Sequence, residues 1–275
     1  MLMNRLIRLT ARSLGAMGRP LGLPHRPLWQ GVYGRMAQYV LPDSDVRALV
    51  DGQTMLLPSP KRNTLSRMLY LHGLWEPEVT ALICAQARSG MTALDVGAYV
   101  GYYTLLLARR VGERGRVIAF EPNPAVRAVL ERNVSLNGYR QVTICDYGLF
   151  SQAGGHSLEG PDSLQSRLAG PALGREIRVE AFDRCREKLG LQALDLVKLD
   201  VEGAELDVLQ GMRLSLAEWH PALLVEVHPV GLAHFGHSTS QFLDFVRSFG
   251  YRVKPVGRET LAFSGGGAAT AIFCR

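Results

Sequence analysis

Five short apolar runs in this chain end on a carboxylate: TALD closing at Asp95, RVIAFE at Glu121, QVTICD at Asp146, LDLVKLD at Asp200 and PALLVE at Glu226. His228 follows the last of them, and Glu202 and Glu205 follow Asp200. Carboxylates in such a set can accept hydrogen bonds from hydroxyl or ammonium groups, take a proton, or ligate a hard cation. Histidine is the side chain whose ordinary pKa lies nearest neutrality, so it suits proton transfer. The set therefore points to a site that handles a cationic or hydroxylated ligand. For that, the acids must be brought to one edge.

The runs alternate with helical patterns. YYTLLLARRVG reads as a helix ending at Gly112, PAVRAVLERNVSLNG as a helix closed by Asn137-Gly138, and AELDVLQGM and SQFLDFVRSFG as two more. Strand–helix alternation predicts an α/β fold, a doubly wound, mostly parallel sheet, in which ligands bind beyond the carboxyl ends of the strands. AIFCR is expected to close the sheet. Residues 151–182 interrupt the alternation with a Gly/Ser/Pro-rich insertion and one strand, EIRVEAF. Upstream, VRALVDGQTMLL at 46–57 predicts a hairpin turning at Asp51-Gly52, and Pro77 starts a helix expected to run to about Ser89. The expected organisation is an arm over 1–45, a cap subdomain over 46–90 and the main domain over 91–275.

The first strand-to-helix turn reads Asp95-Val-Gly97-Ala-Tyr-Val-Gly101. A dinucleotide fold places GxGxxG here, so that backbone can approach a pyrophosphate. This turn lacks the third glycine, and the carboxylate of Asp95 would repel a dianion. A ligand without phosphates but with an ammonium group reverses the argument, and S-adenosylmethionine is such a ligand. Gly97 and Gly101 would admit its amino-acid tail, with Asp95 acting on the ammonium directly or through water. Glu121, 24 residues after Gly97, would accept the ribose hydroxyls. Asp146 would meet the adenine amino group, with Tyr147 and Gly148 against the ring. An NAD-dependent reductase is disfavoured by the same Asp95 and missing glycine.

DVGAYVGYYT at 95–104, FEPNP at 120–124, NVSLNG at 133–138, KLDVEGAELDVLQGM at 198–212 and VEVHP at 225–229 resemble the FkbM-type methyltransferases. The resemblance covers roughly residues 70–230. It implies a class I methyltransferase fold of Rossmann-like type, S-adenosylmethionine as methyl donor, and O-methylation of a sugar or natural-product hydroxyl. The donor-binding set it implies adds Ala98, Tyr99, Tyr103, Thr104, Pro122, Asn123 and Asp200 to the residues above. Position 99, often small and polar in that family, is Tyr99 here, which alters the tail contacts and the pocket mouth but not the donor.

Base N-methyltransferases often carry an Asn/Asp-Pro-Pro-aromatic run after the fourth strand, whereas this chain has Asp200, Glu202 and Glu205. Carboxylates favour an oxygen acceptor. His228 is the first candidate for the base, Asp200 the second, and Glu226 would orient His228 or bind substrate. Asp200, Glu202 and Glu226 could also hold Mg²⁺, although Lys198 can neutralise the same acids. His234 and His237, on a loop expected over 228–237, belong to no closed zinc pattern. That loop, the insertion, and the segment with His72, Trp75 and Glu76 are the expected walls of an acceptor pocket, with Tyr102, Tyr103 and Phe235 among its aromatics.

Composition narrows the partners. The net charge of +6 comes from the arm: residues 1–42 hold six arginines and no acid. Removing these from the 31 basic residues leaves 25, against 25 acidic. A neutral body argues against a nucleic-acid-binding face. Arg5, Arg8 and Arg12 share one side of a helical projection, which suits an anionic membrane surface, a transit peptide, or a helix packed on the body or on a partner subunit. They also interrupt any secretory apolar stretch. Four scattered cysteines without a CxxC are read as reduced thiols in a cytoplasmic protein, with the arm offering a peripheral membrane contact. A non-catalytic cofactor-binding scaffold is the reading outside enzymology.

Overall fold

A computed structural model describes residues 41–162, 165–169, 175–256 and 270–275. Residues 1–40 of the expected arm, with its six arginines, lie outside the described residues. Two compact units divide the chain, Met1–Thr80 and Ala81–Arg275. Among the described residues no helix is long and apolar enough to cross a membrane, and all four cysteines are free thiols.

In the first unit, β1 (Val46–Val50) and β2 (Gln53–Leu57) pair antiparallel. Asp51 and Gly52 both have positive φ, 46° and 79°, the combination a two-residue hairpin of matching twist requires. Helix α1 (Thr64–His72) starts where the Asn63 side chain accepts from the Ser66 N–H, and ends at Gly73 in the left-handed conformation. Helix α2 (Pro77–Gln86) spans the division and stops three residues before its expected end.

The second unit holds β3 (Thr92–Val96), α3 (Tyr102–Val111), β4 (Arg116–Phe120), α4 (Pro124–Leu136) and β5 (Val142–Cys145). After them come β6 (Gly148–Leu149), β7 (Gly154–Asp162), β8 (Gln165–Ala169), β9 (Arg175–Glu180) and α5 (Phe182–Cys185). The chain continues through β10 (Leu196–Leu199), α6 (Glu205–Gln210), α7 (Arg213–Trp219), β11 (Ala222–Val227) and α8 (Pro229–His234). Helix α9 (Thr239–Ser248), β12 (Val253–Pro255) and β13 (Thr270–Cys274) complete it.

Seven strands form one sheet in the order β12-β13-β11-β10-β3-β4-β5. The five from β11 to β5 are parallel; β13 runs antiparallel to β11, and β12 to β13. The apolar runs are continuous because the central strands are buried on both faces. Leu94, Val96, Ile118, Phe120, Val197, Leu199, Val225 and Val227 point to one side and pack with Phe182, Leu206, Leu209 and Phe242. The opposite side carries the polar residues of the site.

Two expectations are corrected. The 151–176 insertion is not plain loop: β7 and β8 join β6 and β9 in a second sheet ordered β6-β9-β7-β8. Glycine and serine hide its strands because local preference is weak there and pairing to β9 supplies the order. Likewise 229–234 of the expected 228–237 loop is helix α8, opened by Pro229 at a first-turn position. Its Gly231 lies against Gly203, where a Cβ added to either would fall 2.4–2.6 Å from the other's backbone. Helix α7 and strand β12 were not expected at all.

Gly97 (φ 81°) and Gly138 (φ 67°) separate packing from conformation. A Cβ at Gly97 would lie 1.8 Å from the Asp200 carbonyl oxygen, whereas nothing lies within 4 Å of one at Gly138. Gly138→Ala is expected to cost about 1 kcal/mol and Gly97→Ala more than about 3 kcal/mol, read from urea unfolding midpoints. Equal losses would refute the close-approach explanation.

Candidate active site

Strand register builds the site. Ala119, Asp95, Lys198 and Leu224 are successive Cα partners across β4, β3, β10 and β11. Side chains alternate with period two, so the residues two further on share that face. These are Glu121, Gly97, Asp200 and Glu226, and beside Glu121 the same row meets Asp146 through the pairing of Ala119 with Ile144. His228 follows Glu226 as the residue capping α8.

Asp95 is fully buried and accepts from the Thr104 hydroxyl at 2.5 Å, which ties the end of β3 to the first turn of α3. Its Oδ1 is buried with no hydrogen-bond partner among the described residues. Burial pushes its carboxyl above the usual range, opposed by Lys198. Gly97 and Ala98 both donate their N–H to the Phe120 carbonyl. The space beside Gly97 is filled by the Asp200 backbone, and that beside Gly101 by Leu130, whose Cδ1 would lie 2.5 Å from a Cβ. The glycines thus have a packing cause within the chain. Tyr99 holds a left-handed φ of 51°.

Glu121 is buried, and it receives the Tyr99 N–H at 2.9 Å on Oε2 and the Asn123 N–H at 2.8 Å on Oε1. It therefore clamps the turn after β3 to the start of α4, where Asn123 caps the helix through Ala125. Two of about four lone-pair sites are used, which leaves capacity for hydroxyl donors. Burial raises its carboxyl to about 7, against the pull of those N–H groups. Pro122 lies beside Gly148, its Cγ 3.7 Å from where a Cβ there would sit.

Asp146 is mostly exposed and pairs with Arg178 at 3.5 Å. Tyr147 turns its hydroxyl toward the Cys145 and Cys185 thiols, its ring meets Phe120 edge-on, and Arg178 covers it at 4.6 Å. A cavity of about 580 Å³ beside it is lined by Arg178, Glu180, Arg184 and Lys188 among others.

Lys198, 4% exposed, donates to Asp200 Oδ2 at 2.9 Å and lies 4.8 Å from the Tyr103 ring centre. Burial works against its charge, but Asp200, Asp95 and Glu226 outweigh it and push the amine above its usual value. Asp200 is held below its own by Lys198 and His228, against burial. His228 Nδ1 faces two acceptors, Glu205 Oε1 at 2.8 Å and the Glu226 carbonyl at 3.1 Å, so it carries a hydrogen. Nε2 faces Asp200 Oδ1 at 3.9 Å, Glu202 Oε2 at 3.9 Å and Glu226 Oε1 at 3.8 Å. Burial opposes charge on the ring, yet the Glu205 bond and the charges of Asp200, Glu205 and Glu202 raise it to about 9.

Asp200, Glu226 and His228 thus come together, with donor atoms within 4.8 Å of one another. Glu202, a member of the set expected for magnesium, sits mostly exposed at the rim with φ 57°. The side chain in contact with His228 Nδ1 is Glu205 rather than Glu226, the acid expected to orient the ring, which contributes its carbonyl there. Asn133 was likewise missed: fully buried, it donates to the Val100 carbonyl and braces the turn between β3 and α3. No spacing announces either contact, because the partners stand 23 and 33 residues away. His237 pairs with Asp207 at 2.9 Å, and Tyr102 and Tyr103 are buried against each other. Phe235 packs on Phe150, while His72, Trp75 and Glu76 fall in the N-terminal unit.

Residues 95–253 match the family model described as Methyltransferase FkbM domain, more than half of the chain. The chain belongs to the FkbM methyltransferase family. Methyltransferase sdnD of Sordaria araneosa is 32% identical over 164 residues, 46% of this chain and 62% of its own length. Hexuronic acid methyltransferase AglP of Haloferax volcanii is 30% identical over 155 residues, 56% of this chain and 62% of its own. The match thus spans under two thirds of these relatives. A solved structure, methyltransferase FkbM from Methylobacillus flagellatus KT, superposes with a TM-score of 0.50 at 18% identity, over 77% of this chain and 52% of that one, and shares the fold.

S-adenosylmethionine is the cofactor of this FkbM domain. The residues fit it: the partnerless Asp95 Oδ1 and the unused lone pairs of Glu121 are acceptors for a ligand rich in ammonium and hydroxyl donors. Asp95, Asp200 and Glu226, balanced by Lys198, also leave negative charge for a cationic ligand.

Glu121 gives the site a pH signature. A carboxyl raised in the fold stabilises fully below its unfolded pKa of 4.5, and that stability is lost as pH rises through about 7. Between pH 4.5 and 7.5 the ligand-free chain should lose up to about 3 kcal/mol from this group. Glu121→Gln should remove that component from the difference between the two urea-unfolding series. Parallel series would remove Glu121 as its source.

Proposed function

We propose that this chain transfers a methyl group from S-adenosylmethionine to a hydroxyl of a sugar, glycan or glycosylated natural product. The observation that carries the reading is His228 Nε2, turned toward Asp200, Glu202 and Glu226 at the strand ends while Nδ1 is occupied. When bound, S-adenosylmethionine supplies an electrophilic methyl on a sulfonium that leaves as a thioether. An acceptor hydroxyl entering the cluster would donate to the neutral His228 Nε2, which takes that proton as the oxygen attacks the methyl, while Asp200 and Glu226 beside Nε2 accept from neighbouring hydroxyls of the same acceptor. Lys198 holds Asp200 ionised and in place for this contact. Carboxylates around an imidazole suit a hydroxyl, and the Haloferax relative, described as acting on a hexuronic acid, is consistent with a sugar-type acceptor. The neutral body disfavours nucleic acid as the acceptor.

Calorimetric titration with S-adenosylhomocysteine, with NAD in parallel, tests the donor. Micromolar binding weakened at least about 10-fold by Glu121→Ala is expected, with no heat from NAD. Heat from NAD alone would overturn the donor assignment. Screening hydroxylated sugars with labelled donor then tests the acceptor. Because His228 must be neutral to take a proton, kcat/KM should climb roughly tenfold per pH unit below its pKa and level off near 9. His228→Gln should cost about 10²- to 10⁴-fold and abolish that limb. A retained limb would take the base role from His228.

A further inference from the structure

We propose that Glu205 is the positioning residue of this site: it holds the His228 ring by Nδ1, so that Nε2 is the ring nitrogen presented to the acceptor. The proposal rests on the reading that the acceptor proton passes to His228. The contact itself can be tested without any reaction.

Glu205 has 0% exposure at the start of α6, a costly place for a carboxylate without a compensating partner. Its Oε1 accepts two hydrogen bonds of 2.8 Å, from the Gly203 N–H and from His228 Nδ1, while Oε2 is buried with no partner among the described residues. Burial pushes the Glu205 carboxyl above its usual value, and the His228 imidazole, by its hydrogen bond and charge, is what opposes that shift.

The 2.8 Å contact is held by backbone. Gly203, two residues before Glu205, packs on Gly231, three residues after His228, with no room for a Cβ on either. Gly203 has φ 123° and Glu202 φ 57°, so the chain makes a left-handed turn between Asp200 and Glu205. That turn sends Asp200 and Glu202 to the Nε2 side of the ring and Glu205 to the Nδ1 side. The ring is thus faced by Glu205 and the Glu226 carbonyl at one nitrogen, and by Asp200, Glu202 and the Glu226 carboxylate at the other, with Lys198 behind Asp200. A base whose second nitrogen is fixed by a buried carboxylate has one tautomer and one orientation, the arrangement that a positioned nucleophile–base pair requires.

Long-range ¹H–¹⁵N correlation spectra of the imidazoles, with His228 assigned by its loss in His228→Gln, read the contact directly. In the wild-type chain the neutral ring above its midpoint should carry its hydrogen on Nδ1. Glu205→Gln keeps an acceptor oxygen but removes the charge. It should lower the His228 midpoint by about one pH unit or more, with S-adenosylhomocysteine affinity within about twofold of wild type. The pH limb of methyl transfer should move by the same amount, with kcat at its plateau reduced about tenfold or more and acceptor KM little changed. An Nε2–H tautomer in the wild type, or an unchanged midpoint in a Glu205→Gln chain that still binds S-adenosylhomocysteine, would overturn the proposal. Should Glu205→Gln fail to fold, the wild-type tautomer decides alone. A shifted midpoint with an unmoved transfer profile would leave the Glu205–His228 contact standing and remove His228 from the reaction, so the two readings fail separately.

Discussion

A lysine buried in the middle of a parallel sheet must keep its charge compensated, and Lys198 does so through carboxylates on its own and neighbouring strands. Asp95 is its Cα partner on β3, Asp200 lies two residues along β10 and binds its ammonium at 2.9 Å, and Glu226 lies one pleat on from its partner on β11. Removing the cation would leave the buried Asp95 and the half-buried Asp200 without their neutralising charge, and both would be destabilised as anions. The strand ends are thus fixed electrostatically as well as by ladder hydrogen bonds. Aliphatic side chains occupy the reverse face of the same strands, so each strand is core on one side and site on the other.

Around that cation the charge does not balance. Asp200, Glu202, Glu205 and Glu226 surround a single imidazole; against burial, the Glu205 hydrogen bond and the charges of Asp200, Glu205 and Glu202 raise His228 to about 9. One consequence is a ring that is protonated at neutral pH in the free chain. Another is attraction for a positively charged ligand, which a methyl sulfonium satisfies and a pyrophosphate does not. The repulsion of a pyrophosphate expected at Asp95 therefore extends along the whole row.

Close backbone contacts keep the arrangement stiff. Gly97 against Asp200 brings the turn after β3 onto the end of β10, and Gly203 against Gly231 brings the start of α6 onto α8. The second sheet joins the same frame, since a Cβ at Gly211, just past α6, would lie 2.1 Å from the Phe150 carbonyl. Ser151 also approaches Asp207 there at 3.3 Å, and Asp207 in turn holds His237 at the end of α8. The insertion therefore braces the two helices that carry Glu205 and follow His228.

Much of this was legible in the residues taken one after another. Strand runs, helix stops at Gly112 and Asn137-Gly138, the Asp51-Gly52 hairpin and the acids at strand ends are local signals, because hydrophobic period and turn chemistry act over a few residues. The row Asp146, Glu121, Gly97, Asp200, Glu226 follows once the strands are known to be parallel and in register. Helix α8 and the β7–β8 pair were not legible, since their glycines and prolines read as loop until a neighbouring backbone or strand claims them. Nor was the fate of each acid. The sequence by itself determined an α/β sheet with carboxylates at the carboxyl ends and a turn suited to S-adenosylmethionine. Only the tertiary structure decided that Glu205 holds His228, that Lys198 holds Asp200 and that Asp146 turns to Arg178. Pattern reveals which face a side chain takes, but hydrogen bonds and pKa shifts depend on distances of a few ångströms between residues far apart in the chain.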